Sequence, residues 1–266
     1  MFLGHGADAN AENNSGMTPL HILSNSECKI NDEGSVRNFA LLLLKHGAAV
    51  NRRNKDTETP LHLAIRRDQF KLAGTLLEHG TDVNAENSEG KTPLRILSES
   101  RYYDEGDFIN HAQSLLEHGV GVNRQDEDNK TSLLLGIGKG KCEFAQIFIE
   151  RSADATLENN MGEISVQQVS PGHNGSQERG LGLVQQSLER GVDLNAQDEN
   201  QMTRPRYLPS NLGPIQMATL LLYHGADPNA GKNGGEDPSC QEIEGEYYIQ
   251  AHLCGYYTVF NISVML

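Results

Sequence analysis

The chain has 266 residues, a formal net charge of −14, 37% apolar and 22% charged residues, and no Trp. This balance excludes a disordered chain and a membrane-embedded one, and the acidic charge repels phosphate, which argues against a nucleic-acid partner. Four cysteines (Cys28, Cys142, Cys240, Cys254) stand far apart without a Cys-x-x-Cys pair, so they read as free thiols in a reducing compartment and not as a disulfide framework or a zinc site.

The chain opens on Met-Phe-Leu-Gly-His-Gly-Ala-Asp, which lacks the basic segment and apolar stretch of a secretory signal. The apolar run from Leu253 to Leu266 contains Asn261 and is short for a bilayer span. Between these ends one phrase recurs: Gly-Ala-Asp-x-Asn-Ala, a few polar residues, then Gly-x-Thr-Pro-Leu-His. The residue that ends a helix falls at Gly6, Gly47, Gly80, Gly119, Ser152, Gly191 and Gly225, with gaps of 41, 33, 39, 33, 39 and 34. A base period near 33 with insertions accounts for them all.

The first repeat pairs a helix opening at Thr18-Pro19-Leu20-His21 with an apolar second helix around Phe39 to Leu44. The second repeat opens at Thr59-Pro60-Leu61-His62-Leu63-Ala64 and continues at Leu72, Ala73, Leu76 and Leu77. The third opens at Thr92-Pro93-Leu94-Arg95 and continues at Leu115-Leu116; the fourth opens at Thr131-Ser132-Leu133-Leu134 and continues from Phe144 to Ile149. Worn openings follow near Ile164-Ser165-Val166 and at Thr203-Arg204-Pro205-Arg206, with second helices around Val184 and Leu188, then Met217 to Leu222. Thr suits the N-cap and Pro the first turn, where a missing N–H costs nothing. Gly beyond the second helix supplies the left-handed residue that ends it, and Asp-x-Asn suits the tight turn that follows.

These phrases, repeated in register over roughly residues 1–231, closely resemble the ankyrin repeat family; Thr59 to Ala64 matches its Thr-Pro-Leu-His-x-Ala signature in full. The resemblance implies an all-α solenoid of about six helix–turn–helix repeats with short hairpin-like tips, each burying its stripe only against its neighbours. The expected array covers 1–234, with a partial repeat near 1–12 and repeats near 13–53, 54–86, 87–125, 126–158, 159–197 and 198–231. Extra residues near Glu27 to Ser35, Tyr102 to Asp107 and Ser170 to Gly180 should lengthen the connection between paired helices. The segment 235–266 carries no repeat phrase and reads as a non-repeat tail.

Ten histidines invite a metal reading, yet most are tied to the repeat. His21 and His62 stand in the signature, where the resemblance implies hydrogen bonds between adjacent turns. His5, His46, His79, His118 and His224 each precede a helix-ending residue, where a cationic ring complements the negative helix end. A row spaced one repeat apart cannot share an ion, so no metal is expected. The acidic Asp126-Glu127-Asp128 lacks the ligand spacing of a calcium loop and reads as a solvated tip. Gly136 to Lys141 resembles a phosphate loop only faintly and follows no strand. No catalytic residue and no cofactor are expected.

The function expected is a non-catalytic protein-binding scaffold, monomeric, in the cytoplasm or nucleus, reading its partner through tips and the concave helical face. The alternative is a regulatory or substrate-recruiting fragment of a larger multidomain enzyme or signalling protein. Candidate partner-binding residues are Arg53, Lys55, Arg66, Arg67, Lys91 and Lys130, a basic strip on an acidic protein suited to an acidic segment, with Tyr102 and Tyr103 as aromatic anchors. Asn84 is a candidate modification site, because Leu76, Asp82 and Val83 before it resemble the substrate pattern of asparagine hydroxylases acting on such arrays. The fifth repeat, with its lost signature and Gly/Ser-rich stretch, should couple most weakly to its neighbours. Limited proteolysis is therefore predicted to cut first between Ser170 and Gly180; earlier cleavage inside repeats two or three would contradict this.

Overall fold

The computed structural model describes residues 6–26, 33–100, 105–139, 141–165, 177–196 and 214–226. Tyr102, Tyr103, the stretch 166–176, Thr203 to Arg206 and the tail 235–266 lie outside the described residues. Helices follow in order, paired from α1 to α8: α1 (Pro19–Ser24), α2 (Glu33–Lys45), α3 (Pro60–Arg66), α4 (Phe70–Glu78), α5 (Pro93–Glu99), α6 (Glu105–Glu117), α7 (Ser132–Gly138) and α8 (Cys142–Glu150), then the second helices of the fifth and sixth repeats, α9 (Gln177–Glu189) and α10 (Pro214–Tyr223). No strand occurs among the described residues. The fold is an all-α repeat solenoid, in two compact parts, Met1–Glu127 and Asp128–Leu266.

Each first helix starts where the sequence places its cap. The Thr92 hydroxyl accepts from Arg95 N–H at 3.3 Å, and the Thr131 hydroxyl from Leu134 N–H at 3.1 Å. Each second helix ends on a left-handed residue, Gly47 at φ 82°, Gly80 at 77° and Gly119 at 82°. The fourth repeat places Ser152 there at φ 66°, a conformation an L side chain resists.

In the N-terminal part, first helices pack on first helices, α1 on α3 and α3 on α5. Second helices pack likewise, α2 on α4 and α4 on α6. Leu61, Ala64, Ile65, Leu76, Leu94, Leu97 and Leu115 are fully buried between these layers, each contributing about 1.5–3 kcal/mol for a Leu-sized side chain. Ile22 and Phe39 stand exposed although their equivalents one repeat on, Leu63 and Leu72, are buried. In the C-terminal part α7 packs on α8, α8 on α9 and α9 on α10.

The insertions do more than lengthen connections. α2, α6 and α9 each run 13 residues, against 9 in α4 and α8. Residues 33–35, 105–107 and 177–180, expected in loops, thus form the first turn of a longer second helix.

One close approach fixes the fourth repeat. A Cβ on Gly136 would stand 2.5 and 2.7 Å from Phe144 ring carbons, and Phe144 is fully buried edge-on against Phe148. The Gly-Ile-Gly segment is thus part of helix α7, with Gly136 and Ile137 as packing surface, and not a phosphate loop. Gly136→Ala should cost about 1–3 kcal/mol by overpacking despite the better helix propensity of Ala. Urea unfolding followed by circular dichroism measures this; an unchanged or raised midpoint would show that the ring relaxes freely.

Candidate partner-binding surface

The surface is carried on tips, and the tips are locked by repeated hydrogen bonds. Asn54 Oδ1 accepts from Asp56 N–H and Glu58 N–H, both at 2.9 Å. Asn13, Asn87 and Asn159 close their tips in the same way. One tip also bonds the next: Lys55 N–H donates to Ser15 O at 3.1 Å, and Ser88 N–H to Asp56 O at 3.0 Å. The sequence reading passed over this asparagine, although it recurs with the period of the helix-ending residue.

A second asparagine ladder joins the turns behind the second helices. Asn10 Nδ2 donates to Gly47 O at 2.9 Å while its Oδ1 accepts from Ala49 N–H at 2.7 Å. Asn51 makes the same pair of bonds to Gly80 O and Asp82 N–H. Asn84 does so to Gly119 O at 3.2 Å and Gly121 N–H at 2.7 Å. The candidate modification site is thus a ladder residue with both ends of its amide bonded. In the C-terminal part Asn195 Nδ2 reaches Gly225 O at 3.0 Å.

The signature histidines join tip to tip. His21 Nδ1 accepts from Thr18 N–H at 3.2 Å, which leaves the Nε2 proton to donate to Glu58 O at 3.0 Å. His62 repeats this with Thr59 N–H and Lys91 O at 3.1 and 3.0 Å. Burial pushes both rings below the ordinary value of 6.5, outweighing the carbonyls and carboxylates that favour protonation. His79 and His118 turn instead to their own helices, each Nδ1 2.8 Å from the carbonyl four residues back. Among the described residues no group of three or more His, Cys, Asp or Glu side chains is placed to hold a metal ion.

The third repeat has Arg95 where the first two have His, and the following tip has Asp126 where Asn13, Asn54, Asn87 and Asn159 stand on the others. The two form a buried ion pair, with side chains 10% and 14% exposed. This corrects the reading of Asp126-Glu127-Asp128 as a solvated tip: Glu127 and Asp128 are exposed, but Asp126 is enclosed by the arginine that occupies the histidine slot. Arg95 Nε also donates to Glu99 at 2.9 Å, and Lys91 Nζ to Glu99 and Glu89 at 3.0 and 2.9 Å. Burial alone would raise Glu99; the hydrogen bonds from Arg95 and Lys91 outweigh it and hold the carboxyl low. Lys91 is pushed up by its bonds to Glu89 and Glu99.

The structure thus sorts the expected basic residues. Arg53 and Lys55 lie exposed on the tip of the second repeat; Arg53 donates to Glu86 O at 3.0 Å, and among the described residues no carboxylate lies within ion-pair distance of either. Arg66 and Arg67 end α3, Arg66 ion-paired with the buried Glu58 and Arg67 donating to Asn25 Oδ1 at 2.9 Å. Lys130 stands in the C-terminal part, bonded to Asp128 on its own tip at 3.1 Å.

Helix pairs with capped first helices, glycine-ended second helices and tip-to-tip histidine bonds define a nearest-neighbour helical solenoid. A family model for ankyrin repeats in three copies matches residues 1–87 and again 30–108. A crystal structure of an ankyrin repeat domain from Acinetobacter baumannii AYE is similar at TM-score 0.62 and 21% identity, covering 79% of this chain and 98% of that one. Residues 1–108 are thus similar in sequence to the ankyrin-repeat family, and the chain has the fold of an ankyrin repeat domain. The mouse 2-5A-dependent ribonuclease is 40% identical over 55 residues, 21% of this chain; the match spans 8% of that protein's length.

The histidine bonds give stability a pH dependence. With both folded values below 6.5, the unfolded chain binds protons first as pH falls. The contribution is whole above about 6.5 and shrinks as pH drops toward the folded values. Thermal melting from pH 8 to 5 should show the midpoint falling below that point, and the fall should shrink in the double variant His21→Asn, His62→Asn. An equal fall in the variant would place the proton uptake elsewhere.

Proposed function

We propose that the chain is a non-catalytic protein-binding scaffold, acting as a monomer in the cytoplasm or nucleus. Its partner would meet the tips and first-helix ends of repeats two and three, at Arg53, Lys55, Arg66, Arg67 and Lys91, with Tyr102 and Tyr103 nearby in sequence. Ankyrin repeats in general mediate protein–protein interaction. The observation that carries the surface is the standing of Arg53 and Lys55: exposed, without a carboxylate at ion-pair distance among the described residues, on a tip bonded on both sides. A locked tip loses little freedom on binding, and cations on a chain of net charge −14 would draw an acidic partner segment to one place.

A second reading, that the array regulates or recruits substrate for a larger enzyme, is favoured by the 55-residue similarity to a ribonuclease. Sequencing the full-length transcript separates the two. A catalytic domain in the same reading frame would support the second reading and its absence the first.

The test on the surface reverses Arg53 and Lys55, which have no carboxylate at ion-pair distance among the described residues. Reversing Arg66 instead would strip the buried Glu58 of its partner and confound binding with folding. With an affinity-captured partner, Arg53→Glu, Lys55→Glu should slow association roughly tenfold at low salt and flatten its salt dependence, with helicity intact. An unchanged on-rate would remove this tip from the contact.

A further inference from the structure

The fourth repeat differs from the second and third where tip meets first helix. In the second repeat Glu58 on the tip is ion-paired with Arg66 at the end of α3. In the third, Lys91 Nζ lies 3.0 Å from Glu99 Oε2 at the end of α5. The register equivalents in the fourth are Lys130 and Gly138, and a glycine supplies no side chain to close the join. The slot of His21 and His62 is also changed, because Leu134 stands there and cannot bond a carbonyl on the following tip. Where both closures are missing, a recess of about 340 Å³ opens, with Leu134, Leu135 and Gly138 on one side, Lys130 on its tip and Met161 on the next. Lys139, Asn159 and Glu163 complete its rim.

We infer that this recess docks an extended segment of a partner protein, seating one large apolar side chain against Leu134, Leu135 and Met161 and a neighbouring carboxylate between Lys130 and Lys139. The inference rests on the reading of the chain as a protein binder, and names a second contact, in the C-terminal part. The volume falls at the low end of the roughly 300–1,000 Å³ of small-ligand sites, which suits one or two side chains. Met161 is 70% exposed on its tip, and a conformable thioether there can close over apolar groups of different shape. Two lysines stand against one glutamate on the rim, and that Glu163 carboxylate already accepts from Asn159 Nδ2 at 2.7 Å. Lys130 keeps its bond to Asp128 on the tip; a partner carboxylate adds a second acceptor to an ammonium with three donors.

The test pans a phage-displayed library of random 12-residue peptides on the full chain and measures selected peptides by fluorescence anisotropy. Enriched peptides should place Leu, Ile, Met or Phe beside Asp or Glu. They should bind at least tenfold more weakly to Gly138→Arg, which restores a side chain where Arg66 stands in the second repeat, and to Met161→Glu. Gly138 is exposed and lies outside the positive-φ glycines, and Met161 is exposed, so both variants should keep the parent's circular dichroism and melting. Absence of enriched peptides, peptides without an acid, or binding within twofold on both variants would overturn the proposal. Peptides that respond to Arg53→Glu, Lys55→Glu but not to Gly138→Arg would overturn the recess and leave the protein-binding reading standing. ADP shifting the Met161 methyl resonance, or self-association abolished by Gly138→Arg, would also overturn it in favour of a small anion or a second copy.

Discussion

Helices of six to nine residues, such as α1, α3, α4, α7 and α8, are too short to hold together alone in water. Their last carbonyls have no partner within the helix, and their apolar stripes have nothing of their own to cover them. Both needs are met by the adjoining repeat. The glycine that ends a second helix leaves its carbonyl to the asparagine one repeat earlier, as Asn10 serves Gly47, Asn51 serves Gly80 and Asn84 serves Gly119. The same side chain then accepts the N–H two residues beyond that glycine, at Ala49, Asp82 and Gly121. One amide fixes both position and orientation of the next turn, and the leucine layers pack at the spacing it sets.

This dependence explains which changes the array absorbs. A histidine bonding a backbone carbonyl can be exchanged only for a group that also reaches across the join. Arg95 does so by engaging the side chain of Asp126 in place of a main-chain oxygen. Losing either member alone would leave a charge buried without its partner, which costs far more than exchanging both for neutral groups. The joins therefore differ in chemistry along the N-terminal part: neutral imidazole to carbonyl at His21 and His62, fully ionic at Arg95. Acid attacks the first kind by protonating the ring, whose burial holds it below 6.5.

The helix pairs, their caps and their glycine ends were legible in the sequence, because each is written by one residue at a fixed offset from the next copy. The tip asparagines were equally periodic, but they sit among Asp, Glu, Lys and Arg in segments that read as generic polar turn. Two things resisted reading for a physical reason. Arg95 and Asp126 each look like a decayed copy of a motif, and only contact across 31 positions shows that one change compensates the other. The engagement of Arg66 by Glu58 and of Lys91 by Glu89 and Glu99 was likewise hidden. A sequence shows where cations fall and not which acids fold back onto them.

Those local pairs bear on how such an array presents charge. An exposed ion pair contributes little to stability, about 0–1 kcal/mol, so the bond of Lys91 to the exposed Glu89 is hard to explain as a stabilising device alone. Its effect at the surface is larger, because a paired cation projects little field beyond a Debye length of about 8 Å. Pairing leaves the second tip, at Arg53 and Lys55, as a place where positive charge faces solvent with no carboxylate at ion-pair distance among the described residues. The ladder that holds that tip is made of asparagine and histidine bonds to backbone. Side chains pointing away from it can change without disturbing the stack, and contact chemistry can vary in an array whose joins cannot.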